Sequence, residues 1–213
     1  MVKKYFVLTF STNDQAIKFI QFLEKAMRKG EKIDFVVKGN RVRVIIPMGD
    51  DTTRVIARVK ELFKYWRMSS APTRGLYRHS LPLVFLLSEL KISIPPSVIA
   101  YVLMLMGHRA EIQGSQLVSD APLDLVIKIA EKASQAYKEA VLLNATPLLK
   151  RLVASVSAAL DVTPEEALQL LTRAEIANFL ESEGRWIMRV GEREALLRLK
   201  KLSREMRNNP KGA

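Results

Sequence analysis

Between Arg41 and Arg78 the chain places seven arginines against two lysines. Arginine is the side chain whose planar fork meets phosphate oxygens two at a time. In Arg41-Val42-Arg43-Val44-Ile45, strand alternation sends Arg41 and Arg43 to one face and Val42 and Val44 to the other. Arg54 and Arg58 stand four apart and share a helix face, while Lys18 and Lys25 stand seven apart on another. Arg67, Arg74 and Arg78 follow in an aperiodic stretch, with Tyr77 beside Arg78 as a ring on which a base can stack. The chemistry these residue types support is phosphate contact and base stacking. The candidate nucleic-acid-binding set is therefore Lys18, Lys25, Arg41, Arg43, Arg54, Arg58, Arg67, Arg74, Tyr77 and Arg78.

The charge behind this set is localised. Of the net +12 over 213 residues, residues 1–80 hold 17 basic against 7 acidic side chains, residues 81–146 hold 5 against 6, and residues 147–213 hold 12 against 9. A charge carried for solubility would be spread over the chain, so this asymmetry points to a polyanion. The competing reading is a solvated basic face. With six to ten phosphate contacts, binding would lose about 10³–10⁵ in affinity between ~50 and ~200 mM salt.

Catalytic chemistry finds little support. There are no cysteines, which excludes disulfides, thiolate metal sites and cysteine nucleophiles. His79 and His108 are the two histidines, and neither sits in a serine-and-acid pattern. Asp50 and Asp51 with Asp34 or Glu61 sketch a Mg²⁺ site for a nuclease. Asp51 is better used as a helix N-cap, and no carboxylate-x-Lys pattern follows a strand. Gly30, Gly39 and Gly49 are too far apart for a phosphate loop, and no Gly-x-x-Gly clamp or aromatic strand pair of a known RNA-binding module occurs. The expectation is a non-enzymatic protein without catalytic residues, metal or cofactor.

Around these residues the pattern predicts an α+β protein: a basic βαββα unit over 1–67, a basic linker over 68–80, an αββα unit over 81–145 and a helical segment over 146–213. In the first unit, Tyr5 to Phe10 is β-rich and Ser11 or Thr12 can cap the next helix. Ala16, Ile17, Ile20, Leu23 and Met27 recur at helical spacing, and Gly30 ends the helix. Ile33–Lys38 and Arg41–Ile46 are strands joined by Gly39-Asn40, a pair that tolerates positive φ. Asp50 or Asp51 then opens a helix to about Trp66.

Residues 67–80 break all periodicity and read either as an arginine-rich arm that orders on nucleic acid or as a flexible connector. A short apolar helix follows from Ser80 to about Leu90, then Pro95–Met106 ended by Gly107, strands Arg109–Gln113 and Gln116–Ser119 around Gly114-Ser115, and a helix to about Leu143. That α-β-β-α order repeats residues 13–66, with Gly30 and Gly39 echoed by Gly107 and Gly114, and raises a duplication of slight residue identity. Thr146-Pro147 opens a helix to about Leu160, and Thr163-Pro164-Glu165-Glu166 opens another with capping-box residue types. A helix over Arg173–Glu183, a short strand at Arg185–Val190, a basic helix Glu192–Arg207 and a frayed tail complete the reading.

Two segments have the order of a DNA-binding helix-turn-helix. In the first, Val98 to Met106 is too apolar to face a groove. In the second, the helix starting at Pro164 opens on Glu165-Glu166, which would meet phosphates badly, so a helical bundle or protein-docking module is preferred there.

No apolar run reaches the ~18 residues of a membrane span. Thr9, Ser11, Asn13 and Asp14 interrupt the N-terminal apolar run too early for a signal peptide, so the chain reads as intracellular. Cysteine avoidance with abundant Ile, Val, Leu, Arg and Glu fits a thermophile. The segments Pro95-Pro96-Ser97-Val98-Ile99-Ala100-Tyr101-Val102-Leu103, Gly107-His108-Arg109-Ala110-Glu111 and Glu131-Lys132-Ala133-Ser134-Gln135-Ala136-Tyr137-Lys138-Glu139 resemble an archaeal family of unknown function. That resemblance implies an archaeal cytoplasmic protein and brings no site residues. The expected partner is nucleic acid, RNA before DNA, in a setting such as the ribosome, with no membrane. A protein-interaction adaptor that docks through its helical C-terminal segment is the alternative, and a metal-dependent nuclease stands third.

Overall fold

A computed structural model of the chain describes residues 3–27, 31–88 and 93–208, with side chains as far as Ser203. The chain divides into two units, residues 1–71 and 72–213. The first holds β1 (Lys3–Thr9), α1 (Asn13–Ala26), β2 (Asp34–Lys38), β3 (Arg41–Pro47) and α2 (Thr52–Ser70). Its sheet runs β1-β3-β2, antiparallel throughout, with β3 in the centre. The even positions of β3 (Val42, Val44 and Ile46) are buried together with Leu8 and Phe10 of the first strand's side. They pack under Phe19 and Leu23 of α1 and Val59 and Trp66 of α2, with Phe10 ringed by Phe19, Phe63 and Trp66 at 5.3–5.5 Å between centroids. Both helices thus cover one face of the sheet and leave the other uncovered.

Local signals explain the turns. Thr12 caps α1, its hydroxyl accepting from Gln15 N at 3.2 Å. Gly39 takes φ +55 while Asn40 stays at negative φ, so one left-handed residue suffices for the turn. Asn40 is used otherwise: its side-chain amide donates to Phe10 O at 2.7 Å and its carbonyl accepts from Phe10 N at 2.9 Å, tying the end of β1 to the hairpin. Asp51 stands at the N-cap of α2 without a side-chain capping bond. The Thr52 hydroxyl instead accepts from Gly49 N at 2.7 Å, tying the loop before α2 to the helix's first residue. The expected helix stop at Gly30 lies outside the described residues.

The second unit holds β4 (Tyr77–Ser80), α3 (Leu81–Leu87), α4 (Pro96–Leu105), β5 (Ala110–Gln113), β6 (Gln116–Ser119), α5 (Leu123–Ala140), α6 (Pro147–Leu160), α7 (Pro164–Arg173), β7 (Ala177–Leu180), β8 (Arg185–Met188) and α8 (Glu192–Asn208). Here the expected linker is corrected. Residues 67–70 complete α2, because Trp66 and Ser69 continue its buried stripe. Thr73 and Leu76 pair across Arg74 (φ +53) and Gly75 (φ +77), a two-residue turn leading directly into β4. β4 is the strand that pairs with β6 to give the order β4-β6-β5. Four residues are too few to display a period, and their basic composition disguised them as a connector.

With β4 in place, the echo between the units becomes a match of topology. Each has an edge strand, a helical crossover, a hairpin and a helix, with strand order first-third-second and every pairing antiparallel. The hairpin glycines agree, Gly39 at φ +55 and Gly114 at φ +59. Counting outward from these turns, Leu8, Val42 and Val37 correspond to His79, Leu117 and Ile112.

The remainder of the second unit packs as helices on a common core of Val98, Ile99, Leu103, Leu149, Leu152 and Leu171. Gly107 (φ +97) ends α4 as expected, with His108 N bonded to Leu103 O at 2.9 Å. Thr163 and Glu166 form the capping box at 3.2 and 2.8 Å. The helix expected over Arg173–Glu183 is absent. Glu175 takes φ +55, Ile176 N reaches back to Leu171 O at 2.9 Å, and the chain turns into the β7–β8 hairpin. A glutamate in the position usually held by glycine gave no sign of that stop.

Candidate nucleic-acid interface

The uncovered face of the first sheet is defined by register. Lys3, Tyr5, Val7 and Thr9 of β1 lie opposite Pro47, Ile45, Arg43 and Arg41 of β3, which lie in turn opposite Asp34, Val36 and Lys38 of β2 from Ile45 onward. All are odd on β1 and β3 and share the face away from the helices. Tyr5 is 67% exposed, and Val7 and Val36 are close to half exposed. Lys38, Arg41 and Arg43 are exposed and enter no ion pair among the described residues, whereas Lys3 bridges Asp34 at 3.2 Å. The Arg43 guanidinium lies 5.2 Å from the centre of the Tyr5 ring, a distance at which the ring face attracts the cation. The result is a basic plateau with one exposed aromatic ring.

The other candidates of the first unit are elsewhere. Because α1 and α2 pack on the opposite face of the sheet, Lys18, Lys25, Arg54, Arg58 and Arg67 do not join Arg41 and Arg43. Lys18 pairs with Asp14 at 2.9 Å and Arg54 with Asp51 at 3.7 Å. Arg67 lies over the Phe63 ring at 5.8 Å. Arg58 serves the fold, since its guanidinium donates to Ala26 O at 2.9 Å and faces Glu31 at 3.8 Å, with the side chain only 23% exposed. It satisfies the carbonyl at the end of α1, so Arg58 leaves the phosphate-contacting set. The single basic surface expected from the sequence is two surfaces.

Arg74, Tyr77 and Arg78 belong to the second unit. Arg74 sits at the tip of its turn. Alternation on β4 places Tyr77 with His79, whose rings stack at 5.8 Å, and Arg78 on the other face with Val118 and Glu111. Tyr77 therefore does not share a strand face with Arg78. At the second sheet's counterparts of Val36, Lys38, Arg41 and Arg43 stand Glu111, Gln113, Gln116 and Val118. The basic plateau has no copy there.

Sequence reasoning missed Tyr5, Val7, Val36 and Lys38. Lys38 and Val36 were accessible, since the two-residue turn places them opposite Arg41 and Arg43. Tyr5 and Val7 needed the pairing of β1 with β3, which joins segments more than thirty residues apart.

The histidines and carboxylates occupy structural places. His79 is fully buried; its Nε2 donates to Ala121 O at 2.9 Å, and Nδ1 has no hydrogen-bond partner. Burial holds its pKa below the ordinary histidine value, opposed by the bond to Ala121. His108 Nδ1 meets Asp120 at 2.9 Å at the base of the β5–β6 hairpin. Asp34 and Asp51 are spent on Lys3 and Arg54, and Glu61 accepts from Tyr65 at 3.0 Å. Among the described residues no three His, Asp or Glu side chains gather as a metal site, and no helix is long and apolar enough to cross a membrane.

In the second unit, α6 and α7 are followed by the β7–β8 hairpin, and Ala145 before α6 bridges Trp186 of β8. Glu165 and Glu166 remain exposed on the first turn of α7. A groove of about 400 Å³ runs beside α7, lined by Glu165, Leu168, Gln169, Thr172, Arg173 and Trp186.

These features define an α+β protein of two topologically matched units, the second extended by a helical and hairpin segment. Over residues 8–197 the chain matches, and belongs to, the family described as an uncharacterised protein conserved in archaea (DUF2067). No curated protein and no solved structure matches it.

Proposed function

We propose that this protein is a non-enzymatic, cytoplasmic nucleic-acid-binding protein that engages RNA in preference to DNA, in a setting such as the ribosome. The observation that carries the reading is the uncovered face of the first sheet, where Lys38, Arg41 and Arg43 stand together outside any ion pair of the described residues. It lies in a unit of 15 basic against 7 acidic side chains, whereas the rest of the chain has 19 against 15. Phosphate contacts supply affinity in proportion to such clustered cations. RNA is favoured because recognition of single strands uses sheet faces and stacking, and neither segment with the order of a helix-turn-helix offers a basic recognition helix, one being apolar from Val98 to Met106 and the other opening on Glu165-Glu166. Sequencing of the nucleic acid that co-purifies with the protein from its own cells tests this. Recovery of a defined RNA is expected, and absence of nucleic acid together with no mobility shift at low salt overturns it.

A second reading, a protein-interaction adaptor, is favoured by the groove beside α7, which joins Leu168 and Trp186 to the 41% exposed Phe179. Partners that stay bound in a pull-down after nuclease treatment support the adaptor. Partners released by the nuclease support the first reading.

A further inference from the structure

We infer that the uncovered face of the first sheet is a platform for a single-stranded segment of RNA, with Tyr5 stacking one base and Arg41, Arg43 and Lys38 holding the adjoining phosphates. The inference rests on the nucleic-acid reading above and adds to it the strandedness of the ligand and a residue that charge alone does not select.

The dimensions suit a short extended segment. Strand spacings of about 4.8 Å and a rise of about 3.4 Å per residue make the face roughly 10 Å across three strands and about 20 Å along β1. A flat sheet of that size engages ~2–3 unstacked bases, and a duplex, whose bases are stacked inward, cannot offer one to the ring. Tyr5 is exposed over two thirds of its surface even though Arg43 approaches the ring at 5.2 Å. The guanidinium contact leaves ring area on which a base stacks. Val7 and Val36 flank Arg43 on either side and give the sugar and base edges an apolar floor. Charge complementarity selects the occupant: among the described residues Asp34 is the one acid on the face, and Lys3 already neutralises it.

Two kinds of side chain make separate contributions and are separately removable. The test is fluorescence anisotropy at ~50 mM salt with a labelled single-stranded RNA 12-mer, the matching RNA duplex and the same sequence as single-stranded DNA. One stacked base contributes a factor of roughly 5 to 150 by alanine substitution, so Tyr5→Ala is expected to weaken the RNA 12-mer by that factor. Tyr5→Phe keeps the ring and should bind like the parent. Duplex RNA should bind more weakly than the 12-mer and not respond to Tyr5→Ala. Equal binding of duplex and single strand, or a Tyr5→Ala variant that binds the 12-mer undiminished, overturns the platform while leaving nucleic-acid binding intact. Tighter binding of the DNA strand overturns the assignment to RNA. Absence of binding to all three probes overturns the nucleic-acid reading itself. Tyr5 is mostly solvent-exposed, so unchanged thermal unfolding of Tyr5→Ala identifies a loss of binding as a loss of the stacking ring.

Discussion

Replacing Arg41 and Arg43 together by glutamine gives the sharpest test of where phosphates bind. On the uncovered sheet face three cations, Lys38, Arg41 and Arg43, stand outside any ion pair of the described residues, and Lys3 is engaged by Asp34. With about 0.7 counterion released per phosphate neutralised on a single strand, three contacts give log Kd against log salt a slope of about 2, or roughly a 20-fold loss of affinity between ~50 and ~200 mM salt. This is far gentler than the six to ten contacts expected from the sequence, because the helix-borne cations face the other way. The double variant keeps one contact, so its slope should fall to about 0.7, and at ~100 mM salt it should bind roughly 25-fold more weakly than the parent. Anisotropy titrations of an RNA 12-mer at four salt concentrations read both quantities. Both arginines are exposed, so stability should change by no more than about 0.5 kcal/mol. An unchanged slope in the double variant would refute the assignment and move the phosphates to Lys18, Lys25 and Arg54 or to the second unit. A parental slope near ~4, the value for about six contacts, would show that both faces of the first unit bind at once.

Three further outcomes follow from single residues. Arg58→Ala should destabilise the first unit by about 1–3 kcal/mol in chemical denaturation, since it removes the donor to Ala26 O and the guanidinium that faces Glu31. Its RNA affinity at low salt should stay within about twofold of the parent because it contributes no phosphate contact in this scheme; a large loss of affinity without loss of stability would return it to the interface. His79 has its folded-state pKa depressed below the unfolded ~6.5, so the stability it protects is fully present above that value. Below it, stability falls by at most about 1.4 kcal/mol per pH unit until the folded group itself takes up a proton. The His79→Leu variant, which installs the residue type found at the matching position Leu8, should lack this part of the pH dependence. Coincident difference curves from pH 7.5 to 5 would contradict the burial argument. At Gly114, φ is +59 and an added Cβ would meet nothing within 4 Å, so Gly114→Ala should cost about 1–2 kcal/mol from the left-handed backbone alone. Full stability in that variant would mean that the turn has another accessible geometry.

Local signals were legible wherever a residue's own conformational chemistry decided the outcome. Thr12, the Thr163–Glu166 box, Gly107 and the turn at Gly39 act within a few residues, and alternation alone separated Arg41 and Arg43 from the buried Val42 and Val44. The same reasoning failed at β4, which becomes a strand because β6 offers it a ladder, and at Glu175, which turns left-handed despite carrying a Cβ. Charge counting found the first unit but could not divide its surface, since whether a basic helix face and a basic strand face point the same way depends on which side of the sheet the helices cover. That choice is made by Phe10, Phe19, Phe63 and Trp66 closing on one another. The sequence by itself determined most of the element types, the location of the charge and the absence of thiol chemistry. The pairing of β1 with β3 decided that Tyr5 shares a face with Arg43, because period-two faces combine into a surface only once strands distant in the chain hydrogen-bond in register, and the packing of α2 on the other face decided that Arg58 does not join them.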